Sequence, residues 1–131
     1  MQDRAAACRA WVPYVRSIAD AFGLRDWTIR ISDEAPPEDD TGANMEAVHG
    51  RRYAIIQLSD GFLDGMPPED QRYFVVHELT HVHQAHQDRL AFNEMTDVVH
   101  RQYELAAEYG VDGIATAIAP FFPLPTTESK G

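Results

Sequence analysis

The stretch VVHELTHVHQAH, Val75 to His86, holds four histidines and one glutamate in an otherwise apolar run. Within it, His77-Glu78-Leu79-Thr80-His81 sets two imidazoles four residues apart. A helix turns about 100° per residue, so such a pair shares one face, one turn apart, and can converge on a single cation. Imidazole nitrogens bind zinc at about 2.0–2.1 Å. Glu78 lies next to His77 on the same side, close enough to act on a water at that cation without being a ligand itself.

The frame around the motif is apolar. Phe74, Val75, Val76, Leu79 and Val82 flank it on several faces, which predicts a helix running through the interior. Ionisable groups there are costly unless paired or bound to a metal. His83 lies about 200° around the helix from His81 and points away from any such cation. His86, five residues past His81, is awkwardly placed for a ligand, and Gln87 stands where an HExxHxxGxxH pattern has its third histidine. Both histidines are expected at the surface or beside the site.

A catalytic zinc keeps three protein ligands and one open position. The next helical stretch, HRQYELAAEYGVDGIA, offers His100, Glu104, Glu108 and Asp112 at steps of four. Leu105, Tyr109, Ile114 and Ile118 are expected to supply apolar contacts elsewhere on that helix. With two antiparallel helices turning around residues 91–94, either Glu104 or Glu108 could face the histidine pair. Each has a carboxylate four residues later that could orient a histidine. Spacing alone leaves both open.

HExxH followed by the ExxxD of EYGVD resembles the zincins of the glutamate-ligand type, such as the thermolysin-like enzymes. The run from VVHELTHVHQAH through YELAAEYGVDGIA is also similar to small predicted metallopeptidases of bacterial and phage genomes. The likeness covers roughly residues 43–118. It implies one Zn2+ held by His77, His81 and Glu108, with Asp112 hydrogen-bonded to a ligand histidine and Glu104 as a supporting carboxylate. It further implies a zinc-dependent peptidase in which Glu78 is the general base for an activated water. Tyr103 and His100 are candidates for stabilising the oxyanion, and His49, beside a turn, is another. A peptide or protein substrate could add as a strand along an exposed sheet edge. The alternative is a zincin-fold metal-binding regulatory or interaction module with little general protease activity. A third reading makes the histidines incidental. The chain is much shorter than thermolysin, so pockets known from the larger enzymes do not carry over, and other divalent ions suit the same ligands.

The elements that must position these residues read as an α+β fold. Residues 3–22 carry Ala7, Trp11, Val15, Ile18 and Phe22 on one helical face, with Pro13 forcing either a kink or a start near Val12. Gly23 fits a left-handed cap with Leu24 folding back. DWTIRIS alternates as a half-buried strand, and the acidic, proline-rich DEAPPEDDTG is expected to be a mobile loop. Residues 43–58 read as a hairpin turning at Gly50, giving a small sheet of about three strands. SDGFLDGMPPED is turn-rich. One long helix is expected from about Pro68 to about Leu90, and another from about Asn93 to about Ala119, capped by Asn93 or Thr96. The tail PFFPLPTTESKG cannot be helical; Phe121, Phe122 and Leu124 can pack down while its end stays loose.

With 131 residues the chain suits a single zincin-like domain, 1–131, with a loose tail from about 120. Twenty-one acids against 11 bases give a formal charge of −10, without the basic face that nucleic-acid binding requires. No apolar run reaches the roughly 18 residues of a membrane helix, and no signal peptide opens the sequence, so a cytoplasmic protein is expected. The lone Cys8 allows no internal disulfide and reads as a small hydrophobe. Nothing in the sequence sets the oligomeric state.

Overall fold

The computed structural model describes residues 3–37, 42–48 and 50–126. Pro13 divides the N-terminal helix in two: α1 spans Arg4–Ala10 and α2 spans Val12–Ala21, with the proline in the first turn of α2. There its missing N–H costs nothing. The expected cap forms at the far end. Gly23 takes φ +83°, Leu24 donates its N–H to the Ala19 carbonyl at 2.8 Å, and the Leu24 side chain folds back into the core. Arg16 then donates to the carbonyls of Leu24 and Trp27, fixing where the chain enters the sheet.

The sheet holds β1 (Thr28–Ile31), β2 (Ala43–Ala47) and β3 (Tyr53–Leu58) in the order β1-β3-β2. β2 and β3 form the expected antiparallel hairpin, with Gly50 at φ +75°. Alternation along β3 buries Ala54, Ile56 and Leu58. β1 joins β3 in parallel, so the sheet is mixed. Residues 33–37 of the acidic segment have no regular structure, whereas 38–41, His49 and 127–131 lie outside the described residues.

The turn-rich stretch before the long helices contains an element that the sequence pattern did not suggest. α3 (Asp60–Leu63) is one turn, capped by the Ser59 hydroxyl, which accepts from the Phe62 N–H at 3.0 Å. It drives Phe62 fully into the core, edge-on to Trp11 at 4.7 Å. Arg4 pairs with Asp60 and donates to the Leu58 carbonyl, tying α1 to the end of the sheet.

α4 spans Pro68–Glu94 and α5 spans Asp97–Ile118. α4 runs a turn beyond Leu90 because neither glycine nor proline interrupts residues 90–94. Asn93 therefore lies inside α4, and Thr96 is the cap, accepting from the Val99 N–H at 3.4 Å. Val75, Val76, Leu79 and Val82 bury α4 against the sheet and α2, as expected of an interior helix. α5 departs from expectation. It buries Val111 and Ala115, while Leu105, Tyr109 and Ile114 are exposed. The face it turns to α4 carries Glu108 and Asp112, and Leu105 and Tyr109 sit some 60–100° around the helix from Glu108. After α5, Ala119–Phe121 forms a 3-10 turn in the supposedly non-helical tail. Phe122 packs on Phe22 at 5.7 Å, but Phe121 and Leu124 stay exposed. Arg72 donates to the Phe122 carbonyl and Tyr14 to that of Pro123.

Among the described residues, no helix is long and apolar enough to cross a membrane. The Cys8 thiol is buried, and burial raises its pKa, in keeping with a hydrophobe.

Two measurements test this packing. Gly42, buried just before β2, leaves no room for a side chain: a Cβ there would sit 2.6 Å from the Phe74 ring on α4. Gly42→Ala should therefore lower the unfolding free energy by about 1–3 kcal/mol in denaturant melts, and an unchanged midpoint would show that Phe74 swings aside freely. Burial pushes the Tyr14 phenol up to about 12, against partial relief from Arg72. An unfolded chain ionises tyrosine near about pH 10. The folded state thus keeps a proton that the unfolded state has lost, so stability is intact below about pH 10 and falls as pH rises towards about 12. Tyr14→Phe should flatten that alkaline decline, and identical slopes for the two proteins would contradict the assignment.

Candidate metal centre

On α4 the helical repeat sets the His77 and His81 rings edge to face, with centroids 4.9 Å apart. α5 lies antiparallel to α4, so stepping a turn along one helix steps a turn back along the other. His77 meets Asp112, His77 and His81 both meet Glu108, and Asp88 meets Tyr103. Glu104 falls a turn away from the histidine pair; its Oε1 lies 3.7 Å from Nδ1 of His100.

One carboxylate oxygen binds the group together. Oε1 of Glu108 is 3.0 Å from Nε2 of His77 and 3.3 Å from Nε2 of His81. Ligand atoms of the three residues all lie within 4.8 Å of one another. A tetrahedron with bonds of about 2.0–2.1 Å has edges of about 3.3–3.4 Å, close to these separations. Two imidazoles and a carboxylate are also the donor chemistry that zinc accepts. His77, His81 and Glu108 could hold a metal ion.

The surrounding charges call for a cation. Nδ1 of His77 faces Oε2 of Glu78 at 2.9 Å, and its Nε2 faces Oδ1 of Asp112 at 2.8 Å. Only a doubly protonated ring donates to both. Burial works against that charge, but the hydrogen bond and charge of Glu78 outweigh it, helped by the Asp112 bond and the Glu108 charge, and hold His77 up at about 9. Tyr73 donates to the same Asp112 oxygen, and burial followed by the Asp112 charge raises its phenol. Three carboxylates thus surround one imidazole, and in the free protein a proton supplies the positive charge.

Glu78 and Asp112 hold His77 from two sides. Asp112 contacts the nitrogen that also faces Glu108, while Glu78, only 4% exposed, takes the other nitrogen. The triad opens on a cleft of about 790 Å3 between β2, α4 and α5. That volume is typical of a ligand site. Among the described residues, four carboxylates line the cleft, those of Glu78, Asp88, Glu104 and Glu108, and no lysine or arginine does.

Tyr103 and His100 both line this cleft. The Tyr103 hydroxyl donates to Asp88 at 2.6 Å, which raises the phenol's pKa. The sequence reading missed Asp88, although the steps of four and seven from His77 to His81 to Asp88 keep all three on one helical face. It also missed the wall formed by Ala43, Asn44, Met45 and Ala47 of β2, which becomes legible only once the sheet order is known. His83 and His86 turn away, donating to the carbonyls of Phe22 and Arg51.

Comparison with protein-family models, curated proteins and solved structures finds no match for this chain.

The purified protein should take up about one equivalent of zinc. His81→Ala and Glu108→Gln should weaken uptake more than Asp112→Asn, whose loss is expected to cost about 10–100-fold, and Glu104→Gln should leave it unchanged. Titration against a chromophoric chelator measures all four. Equal losses in Glu104→Gln and Glu108→Gln would contradict the assignment of Glu108.

Proposed function

We propose that this chain is a zinc-dependent peptidase of the glutamate-ligand zincin type. The observation that carries the reading is the His77–His81–Glu108 group opening on a cleft that also presents a buried acid, Glu78. A divalent cation, when bound, supplies a Lewis acid for the scissile carbonyl and lowers the pKa of a water. The chain's own residues supply the rest.

Glu78 is the proton carrier. Its carboxylate takes a proton from the attacking water and returns it to the leaving amine. With a cation held at the His77 nitrogen that faces Glu108, Asp112, which shares that nitrogen in the free protein, would keep the bond it accepts from the Tyr73 hydroxyl. β2 supplies a place for substrate: it pairs with β3 on one side, and its residues form one wall of the cleft. An extended peptide backbone can add to such an edge, with its side chains alternating between cleft and solvent. His100 and Tyr103 lie on the opposite wall, where an oxyanion donor is required. To serve there, Tyr103 must give up its bond to Asp88.

A second reading has its own support. Glu78 is bonded to His77, and Tyr103 to Asp88. A protein that binds metal for regulation or interaction, with little general proteolysis, fits those satisfied contacts as well.

Digestion of a peptide library separates the two. The peptidase reading expects cleavage that a chelator abolishes and added zinc restores, and a Glu78→Gln variant that still binds zinc but loses at least about 100-fold in rate, in line with the usual share of general acid–base catalysis. Full metal occupancy with no peptide cut would favour the regulatory reading, and full activity in Glu78→Gln would remove the assigned base.

A further inference from the structure

Asp112 stands at the edge of the candidate metal centre. Its Oδ1 lies 2.8 Å from Nε2 of His77, the same nitrogen that Glu108 approaches at 3.0 Å. The ligand atoms of His77, His81 and Glu108 lie within 4.8 Å of one another, and Asp112 is not part of that group. It is a further carboxylate held just short of the triad. Carboxylate oxygen bonds zinc at about 2.0–2.2 Å; four protein ligands make a closed structural site, whereas three leave a position for water or substrate. Where Asp112 stays decides between those two chemistries.

Tyr73 is what holds it. The residue lies on α4 one turn before His77, with ring centroids 5.5 Å apart, and its hydroxyl donates to Oδ1 of Asp112 at 3.4 Å. The hydroxyl is itself oriented. Thr116, one turn beyond Asp112 on α5, hydrogen-bonds the phenol oxygen and leaves the phenol proton for the carboxylate. The Tyr73 ring also packs edge-on to Phe74, which lies against Gly42.

We propose that Tyr73 is a positioning residue that keeps Asp112 from becoming a fourth ligand and so keeps one coordination position open. The proposal rests on the metal reading of His77, His81 and Glu108. A His77 nitrogen that carries a cation has no proton to give, so Asp112 loses that bond and keeps the one from Tyr73. The carboxylate is then drawn two ways, towards the cation and towards the phenol proton. The 3.4 Å separation belongs to the free protein, where His77 draws the same oxygen, and it can shorten once that draw is gone. Without the hydroxyl, only the pull towards the cation is left.

Cobalt(II) tests this, because it takes the same nitrogen and oxygen donors as zinc and its visible absorption follows its coordination. The probe for an open position is imidazole, a neutral molecule that the cleft carboxylates do not repel. Added to the cobalt-loaded wild-type chain, imidazole should shift the spectrum. In Tyr73→Phe, with far-ultraviolet circular dichroism unchanged, it should bind at least about 10-fold more weakly, the equivalent of one lost hydrogen bond to a charged group. Thr116→Val, at an exposed position, should act in the same direction with the Tyr73 ring left in place. Combining Tyr73→Phe with Asp112→Ala should recover the wild-type response, because alanine cannot take the position; a merely structural role for Tyr73 would leave the double variant no better than the single one. Equal imidazole binding in the wild type, Tyr73→Phe and Thr116→Val overturns the role of Tyr73 and leaves the metal reading intact. A wild-type spectrum that imidazole does not move overturns it too, since the fourth position is then already closed. No uptake of cobalt by the wild-type chain removes the metal reading and this inference with it.

Discussion

Three carboxylates, those of Glu78, Glu108 and Asp112, close around the ring of His77 in a half-buried seam between two helices. Acids brought together at reduced solvent exposure repel one another, and the arrangement is stable only with positive charge among them. A protonated imidazole is one solution; a divalent cation shared by His77, His81 and Glu108 is a better one, because it neutralises more charge at the same point. The packing of the second half of the molecule follows from that requirement. α5 must turn its acids inward to meet the histidines, and its apolar residues are therefore left outside.

The rest of the chain makes this arrangement tolerable. The core is built by α2, the three strands, α3 and the first half of α4, with Ile18, Ile56, Leu58, Phe62 and Leu79 at its centre. α5 contributes little apolar burial beyond Val111 and Ala115. Its position depends on the polar pairs with α4 and on the tail that Tyr14 and Arg72 hold beneath it. A metal bound between α4 and α5 would add its binding energy to the seam that has the least hydrophobic support.

Much of this was legible in the sequence because it is local. Proline, glycine and threonine at 13, 23 and 96 mark helix ends through backbone chemistry that needs no tertiary context. The period of four put His77 with His81, and the same period placed Glu108 and Asp112 on one face of α5. What spacing could not decide was the register between the helices, and hence Glu108 against Glu104; that depends on the length of the turn, which α4 shortened by running on to Glu94. The parallel pairing of β1 with β3, the cleft wall from β2 and the Asp88–Tyr103 bond are all long-range. The outward face of α5 was misjudged for a different reason. Apolar residues at helical spacing ordinarily mark the buried side, and here the polar stripe is the one that packs.

X-ray absorption at the zinc edge, on protein loaded with a single equivalent, addresses the centre itself. The account predicts two imidazole ligands and at least one oxygen at about 2.0–2.2 Å, with one imidazole signal lost in His81→Ala. A six-oxygen shell without imidazole scattering, or a spectrum indifferent to that substitution, would contradict it.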